Sequence, residues 1–267
     1  MVPGKPTSRP RKRYGQHFLH DKSVIQRIID LIIPVTTHPL LEIGPGRGAL
    51  TFPLLQYVEH LDVIEIDKYL AKALMDKCDD PKKLTVHNSD VLKFDFRSHA
   101  AGRKFRVIGN LPYNISTPLL FHLLDQIDCI EEMIFMLQKE VAERICADTG
   151  TREYGRLSIM IQSLCRVESL FPVGPDAFTP APRVESEVIR LIPLSADKSP
   201  LIDRILFSRI VRTAFSYRRK TLRNALKGLV DEDIFIELGI APTSRPEQLT
   251  ITDYTKIANA LIEDKSE

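Results

Sequence analysis

From residue 40 onwards the chain alternates short apolar runs with amphipathic segments, and nothing else in the sequence restricts the fold as strongly. Stretches 40–43, 61–67, 83–87, 105–109 and 133–137 read as five strands. Helical patterns follow at 49–58 (with Pro53 in its first turn), 69–77 and 117–127, and another runs to residue 147. Strands joined by helical crossovers pair in parallel, and such sheets take their ligands outside the carboxyl ends of the strands. The expectation is therefore an α/β, Rossmann-like sheet. Residues 157–164 read as a further helix and 186–193 as an alternating late strand. Two late strands after the parallel set would suit a closing hairpin.

Before the alternation, residues 1–10 read as a flexible basic tail. Asp21 is placed to cap a helix carrying Val24, Ile25, Ile28, Ile29 and Ile32, which Pro34 ends. After it, residues 195–200 form a polar linker. The remainder is helical: Ile202, Leu206, Ile210 and Ala214 make one stripe, Leu222, Leu226 and Leu229 another, and 253–262 a last helix. The expected division is a sheet domain at 11–194 and a small all-α domain at 195–267. No apolar run approaches the length needed to span a bilayer, so no membrane role is expected. Cys78, Cys129, Cys146 and Cys165 lack metal-type spacing and sit in apolar segments, as free thiols of a reducing, cytoplasmic compartment do. No metal is expected.

Charge is unevenly spread. Residues 5–27 hold seven Lys/Arg and one Asp, and residues 203–227 hold eight and one, leaving 22 basic and 33 acidic residues elsewhere. Two basic stretches on an acidic body suit a polyanion bound at a defined place.

Two motifs carry chemistry. Gly44-Pro45-Gly46-Arg47-Gly48 follows the first strand and precedes a helix, so the backbone can approach a ligand closely at a helix N-terminus. Glu65, about 20 residues on at the second strand's end, can grip ribose hydroxyls, as in dinucleotide sites too. Asp90 ends the third strand, either as a turn-capping residue or as an acceptor for an adenine amino group. The fourth strand stops at Asn110-Leu111-Pro112-Tyr113. Proline cannot extend the ladder and biases Leu111 to an extended backbone, which frees neighbouring carbonyls to accept from a nucleobase amine while Tyr113 offers a ring to stack on. Alone, that motif is also a strand-end turn with a buried Asn. Asp90 as an acceptor for an adenine amine and the Asn110-x-Pro112-Tyr113 that ends the fourth strand favour S-adenosylmethionine over a nicotinamide cofactor, and a nicotinamide oxidoreductase also lacks a candidate hydride-transfer partner.

The chain resembles the ribosomal RNA adenine dimethyltransferases of the small subunit, the enzymes linked to kasugamycin sensitivity. The resemblance rests on residues 13–19 (Arg-Tyr-Gly-Gln-His-Phe-Leu), Glu42-Ile43-Gly44-Pro45-Gly46, Glu65-Ile66-Asp67, residues 109–116, 137–141, 154–158 and 177–184. It implies methyl transfer from S-adenosylmethionine to N6 of two adjacent adenosines in a hairpin loop of small-subunit rRNA, with the immature small subunit as partner. It implies cofactor contacts at His17, Leu19, Gly44, Gly46, Glu65, Asp90 and Asn110; the family often has Asn where this chain has His17. Catalytic roles fall to Asn110, Leu111, Pro112 and Tyr113, with Phe178 stacking on the second face of the base. RNA contacts are expected at Arg11, Lys12 and Arg13, and at Arg212, Arg219, Arg223 and Lys227, which would share one face of a continuous helix. The rivals are the large-subunit adenine methyltransferases of macrolide resistance, which share Asn-x-Pro-Tyr, and a catalytically idle RNA-binding assembly factor.

Overall fold

The structure, a computed structural model, describes residues 16–33, 38–195, 202–217 and 219–263. Its centre is a seven-stranded sheet in the order β4-β3-β2-β5-β6-β9-β7. The strands are β2 (Leu40–Ile43), β3 (Leu61–Ile64), β4 (Leu84–His87), β5 (Phe105–Asn110), β6 (Ile130–Gln138), β7 (Cys165–Val173) and β9 (Ser186–Pro193); β1 (Phe18–Leu19) and β8 (Phe178–Thr179) form a separate antiparallel pair. Pairings β2–β3, β3–β4, β2–β5 and β5–β6 are parallel, and β9 runs antiparallel to β6. The chain winds outward from β2 to β4, then returns to the other side of β2 with β5. That reversal between β2 and β5 opens a crevice at the strands' carboxyl ends.

The central strands are covered on both faces. All four residues of β2 are buried, as is the run Met133–Leu137 of β6, so these strands do not alternate, and β2 is apolar but for Glu42. Helix α1 (Lys22–Ile32) starts at Asp21, whose carboxylate accepts from the Ser23 and Val24 amides at 2.8 and 3.0 Å, and it buries Ile28, Ile29 and Ile32. Its last residue is followed by Ile33 in an extended conformation, as a residue before proline prefers; Pro34 itself lies outside the described residues. Arg106, 5% exposed, holds that end by donating to the Ile32 carbonyl at 2.6 Å, and Glu132 neutralises it at 2.6 Å.

Four departures from the sequence reading have local causes. Helix α2 is only Thr51–Leu54, because Pro53 has no N–H for a bond back to Ala49, and the chain continues in turns to Val58. Helices α3 (Lys68–Lys77), α4 (Phe96–Ala100), α5 (Ser116–Leu124) and α6 (Lys139–Cys146) follow between strands. The second late strand is β7; it is the edge strand, where Pro172 is tolerated and the outward residues are polar. The described residues fall in two compact units, within 1–142 with 168–193 and within 143–167 with 194–267. Residues 143–167, expected with the sheet, thus cluster with the C-terminal residues. Within that second unit α7 (Arg156–Gln162) is tied to the chain before it by Ser158 to the Arg144 carbonyl and by Gln162 to those of Ile145 and Ala147.

The fourth departure concerns the basic stretch. Helix α8 is Arg204–Ser216, capped by Asp203, followed by α9 (Leu222–Ala225), α10 (Glu232–Glu237) and α11 (Ile251–Glu263). Because Asp203 starts the helix, Ile202 precedes it and is 65% exposed; the buried stripe is Phe207, Ile210, Val211 and Ala214. The helix ends before Arg219. Arg212 lies on α8, Arg219 in the following turn, Arg223 on α9 and Lys227 beyond it, so the continuous helical face does not exist. All four side chains are nevertheless exposed, and Arg223 pairs with Glu232 at 3.5 Å.

Candidate active site

A cavity of about 240 Å³ opens at the carboxyl ends of β2, β3 and β5 and after β4, all within the first unit. Of the residues singled out from sequence, His17, Leu19, Gly44, Gly46, Glu65, Asp90, Asn110, Leu111, Pro112 and Tyr113 line it. Two glycines make that convergence possible. Gly44 has φ +67°, and a Cβ there would sit 3.7 Å from the Asn110 carbonyl and from Pro112. At Gly109 a Cβ would meet the Ile43 carbonyl at 2.5 Å, so only glycine lets β5 pass β2 at this point.

Glu65 is 5% exposed and held from two sides: its oxygens accept from the Gly46 amide at 3.1 Å and the Asp67 amide at 2.8 Å. Those two bonds fix its orientation and favour the carboxylate, yet burial outweighs them and pushes its pKa up to about 7. Asp90 caps a 3₁₀ turn by accepting from the Leu92 amide at 3.0 Å, and its other oxygen accepts nothing among the described residues. The turn-capping reading is thus observed, and the second oxygen is an acceptor open to a ligand. Glu42, which belongs to the Glu-Ile-Gly-Pro-Gly motif but had no role expected of it from sequence, also lines the cavity. It is 2% exposed, accepts from Thr51 Oγ at 2.6 Å, and burial pushes its pKa up to about 8. A lone carboxylate inside an apolar strand, directly before the glycine turn, was its available signal.

At the end of β5 the side-chain amide of Asn110 donates to the His17 carbonyl at 3.1 Å. That bond determines which way the amide faces: its oxygen is left to accept, and it takes no hydrogen bond among the described residues. The Leu111 carbonyl likewise accepts nothing among the described residues, while the Leu111 amide bonds the Met136 carbonyl at 3.1 Å. Two acceptors without a hydrogen bond among the described residues thus come from consecutive residues. Tyr113 is anchored by its hydroxyl to Ser186 Oγ at 2.6 Å, and burial raises its pKa. The His17 ring stacks on Tyr113 with centroids 5.4 Å apart and planes 27° apart, and His17 Nδ1 donates to the Pro180 carbonyl at 2.7 Å.

Phe178 is placed elsewhere. It is 3% exposed, packs in the core and pairs with Leu19 across β1 and β8, and it is not part of the cavity wall. The ring facing Tyr113 is His17 instead. Arg11, Lys12 and Arg13 lie outside the described residues.

The donor set fits an adenosine-bearing cofactor with a charged tail. A rigid carboxylate suits two ribose hydroxyls, a half-free aspartate suits an exocyclic amine, and Leu19, Ile43, Val91 and Leu92 supply apolar walls. An amine presented to Asn110 and Leu111 would share the same cavity.

Known proteins match along the same lines. The family described as ribosomal RNA adenine dimethylase matches residues 7–263. A ribosomal RNA small subunit methyltransferase A from Nitrosococcus oceani is 53% identical over 92% of this chain and 94% of its own. The crystal structure of a dimethyladenosine transferase from Plasmodium falciparum superposes with a TM-score of 0.82 at 26% identity, over 93% of this chain and 98% of that one. The 23S rRNA methyltransferase ErmE superposes with a TM-score of 0.69 at 25% identity, over 92% and 99%.

Proposed function

The chain belongs to the ribosomal RNA adenine dimethylase family, and from that premise we propose that it methylates two adjacent adenosines in a hairpin loop of the small-subunit rRNA, within the immature small subunit in the cytoplasm. The enzyme class goes with the family: a small-subunit rRNA adenine N6,N6-dimethyltransferase using S-adenosylmethionine.

Glu65 would hold the ribose hydroxyls, Asp90 the adenine amine of the cofactor, and Gly44 and Gly46 would let the backbone lie against its methionine portion. The cofactor supplies a sulfonium methyl group that is already electrophilic, so the residues around the target need no strong base at the outset. Their task is the amine, whose lone pair is delocalised into the adenine ring. With one N–H donated to the Asn110 side-chain oxygen and the other to the Leu111 carbonyl, the nitrogen is drawn towards tetrahedral geometry and its pair is aimed at the methyl group. Catalysis is then positioning and electrostatics. Tyr113 offers one stacking face to a base that has left its helix, worth roughly 1–3 kcal/mol. The observation that carries this reading is the Asn110 amide, locked by the His17 carbonyl so that its oxygen is left to accept, next in sequence to a Leu111 carbonyl that accepts nothing among the described residues.

ErmE shares the fold, and the large-subunit reading is therefore the one to exclude. Purified immature small subunits, large subunits and naked rRNA, each incubated with methyl-labelled S-adenosylmethionine, separate the two. Digestion and mass spectrometry should find N6,N6-dimethyladenosine at two neighbouring positions of the small-subunit RNA. Label confined to the large subunit, or monomethyladenosine alone at saturating cofactor, would overturn the proposal.

A further inference from the structure

Away from the active site, at the edge of the sheet, three side chains from three elements turn towards one point. Asp62 comes from β3, His87 from the end of β4 and His99 from α4, and one ligand atom of each lies within 4.8 Å of the other two. Asp62 stands between the rings: its Oδ1 is 2.8 Å from His87 Nε2 and its Oδ2 3.8 Å from His99 Nε2. A third imidazole, that of His60 in the loop before β3, stands beside Asp62 but outside this group. His60 Nδ1 donates to the Lys82 carbonyl at 2.9 Å, which leaves Nε2 as the acceptor, 3.0 Å from Thr85 Oγ and 3.7 Å from Asp62 Oδ2. The side chains of Asp62, His87 and His99 are 16–27% exposed, reachable from solvent but not freely solvated.

We propose that Asp62, His87 and His99 form a binding site for a borderline divalent transition metal, with Zn²⁺ as the best fit and the fourth position left to water. The donor set argues for it. Neutral imidazole and carboxylate suit Zn²⁺, and bonds of 2.0–2.2 Å in tetrahedral geometry put neighbouring ligand atoms about 3.3 Å apart. The distances here straddle that value, so small side-chain rotations complete the set without moving the backbone. The pattern escaped the sequence reading because its members are 25 and 12 residues apart, a spacing with no motif. Occupancy would clamp edge strand β4 to β3 and α4 just before Ser89 and Asp90, which line the cofactor cavity.

The test is isothermal titration of the full chain with ZnCl₂ in a non-chelating buffer, beside His87→Gln, His99→Gln and Asp62→Asn, each checked for fold by circular dichroism. One equivalent should bind the wild type, each variant should weaken it at least tenfold, and the thermal midpoint should rise with zinc in the wild type alone. Co²⁺ as a second probe should give the visible d–d bands of a nitrogen and oxygen set. No zinc binding by the wild type, binding unchanged in all three variants, or a thiolate charge-transfer band with Co²⁺ would each overturn the proposal. A variant that loses its fold is replaced by the alanine change at the same position, held to the same tenfold criterion.

Discussion

Cofactor affinity should depend on pH through one named carboxylate. In the ligand-free protein, burial pushes Glu65 up to about 7, against an ordinary value of 4.5. Ribose hydroxyls donating to its oxygens favour the ionised form, so the bound protein holds Glu65 at a lower pKa than the free one. The sign follows: the free protein binds the proton more tightly, binding the cofactor expels it, and affinity falls as pH drops through about 7. With Glu65 fully ionised in the complex, the dissociation constant at pH 6 should be about tenfold above its alkaline limit, and about a hundredfold at pH 5. If the bound pKa returns to the ordinary value, the full linkage is on the order of 3 kcal/mol. Titration calorimetry between pH 5.5 and 8.5, in two buffers of different ionisation heat, measures both affinity and proton release; near pH 7 about half a proton should be released. Glu65→Gln is the control. It keeps the shape, but its NH₂ must face either the Gly46 or the Asp67 amide, so affinity at pH 8 should fall roughly 10- to 100-fold. Any pH dependence that survives in the variant belongs to Glu42, which lines the same cavity and is pushed up to about 8, or to the cofactor's own amino group. A flat wild-type profile, or the same slope in Glu65→Gln, would refute the assignment.

Three further outcomes follow from the same geometry. Asn110→Ala should lower single-turnover methyl transfer by about 10²- to 10³-fold while filter binding of RNA stays within a fewfold. Arg212, Arg219, Arg223 and Lys227 sit on separate elements, so each change to Glu should act independently; every cation that meets a phosphate should, once replaced, flatten the salt dependence of RNA binding by about one log–log unit, and the wild-type slope in a quadruple variant would assign the RNA to other residues. Gly109→Ala should destabilise the fold by about 1–3 kcal/mol in urea denaturation, because its methyl would meet the Ile43 carbonyl at 2.5 Å, whereas Gly174→Ala, with nothing within 4 Å, should cost nothing.

What could be read from the sequence depended on how many faces an element buries. β2, β5 and β6 are covered on both sides, so largely apolar runs marked them. β7 lies at the edge, exposes Arg166 and half-buries Glu168, and contains Pro172, so its nine residues carry neither a clean alternation nor an apolar run. In the second unit the error lay in the helix boundaries. Ile210 and Ala214 are buried as expected and Leu206 is half-buried, but Ile202 lies outside the helix that Asp203 caps by accepting from the Ile205 and Leu206 amides, and Phe207 and Val211 complete the buried face. The broken basic face has the same origin: spacing predicts angle only while the helix continues, and α8 stops at Ser216.

The site divides along a different line. Gly44, Gly46, Glu65, Asp90 and Asn110 were legible as cavity-lining residues because each sits at or just after a strand end, where open parallel sheets leave their crevice. The orientation of Asn110 was not legible, since it is imposed by a carbonyl 93 residues earlier. Nor was the partner of Tyr113: the chain before α1 pairs β1 with β8, and that pairing seats His17 against the tyrosine and turns Phe178 inward. A base entering to stack on Tyr113 therefore meets a face already in contact with His17, whose ring is tethered to the Pro180 carbonyl. Either the base takes the opposite face or the imidazole yields. The two cases differ in what His17→Ala does: removing a competitor for the ring should tighten RNA binding, whereas removing a support for it should loosen Tyr113 and slow transfer without tightening anything.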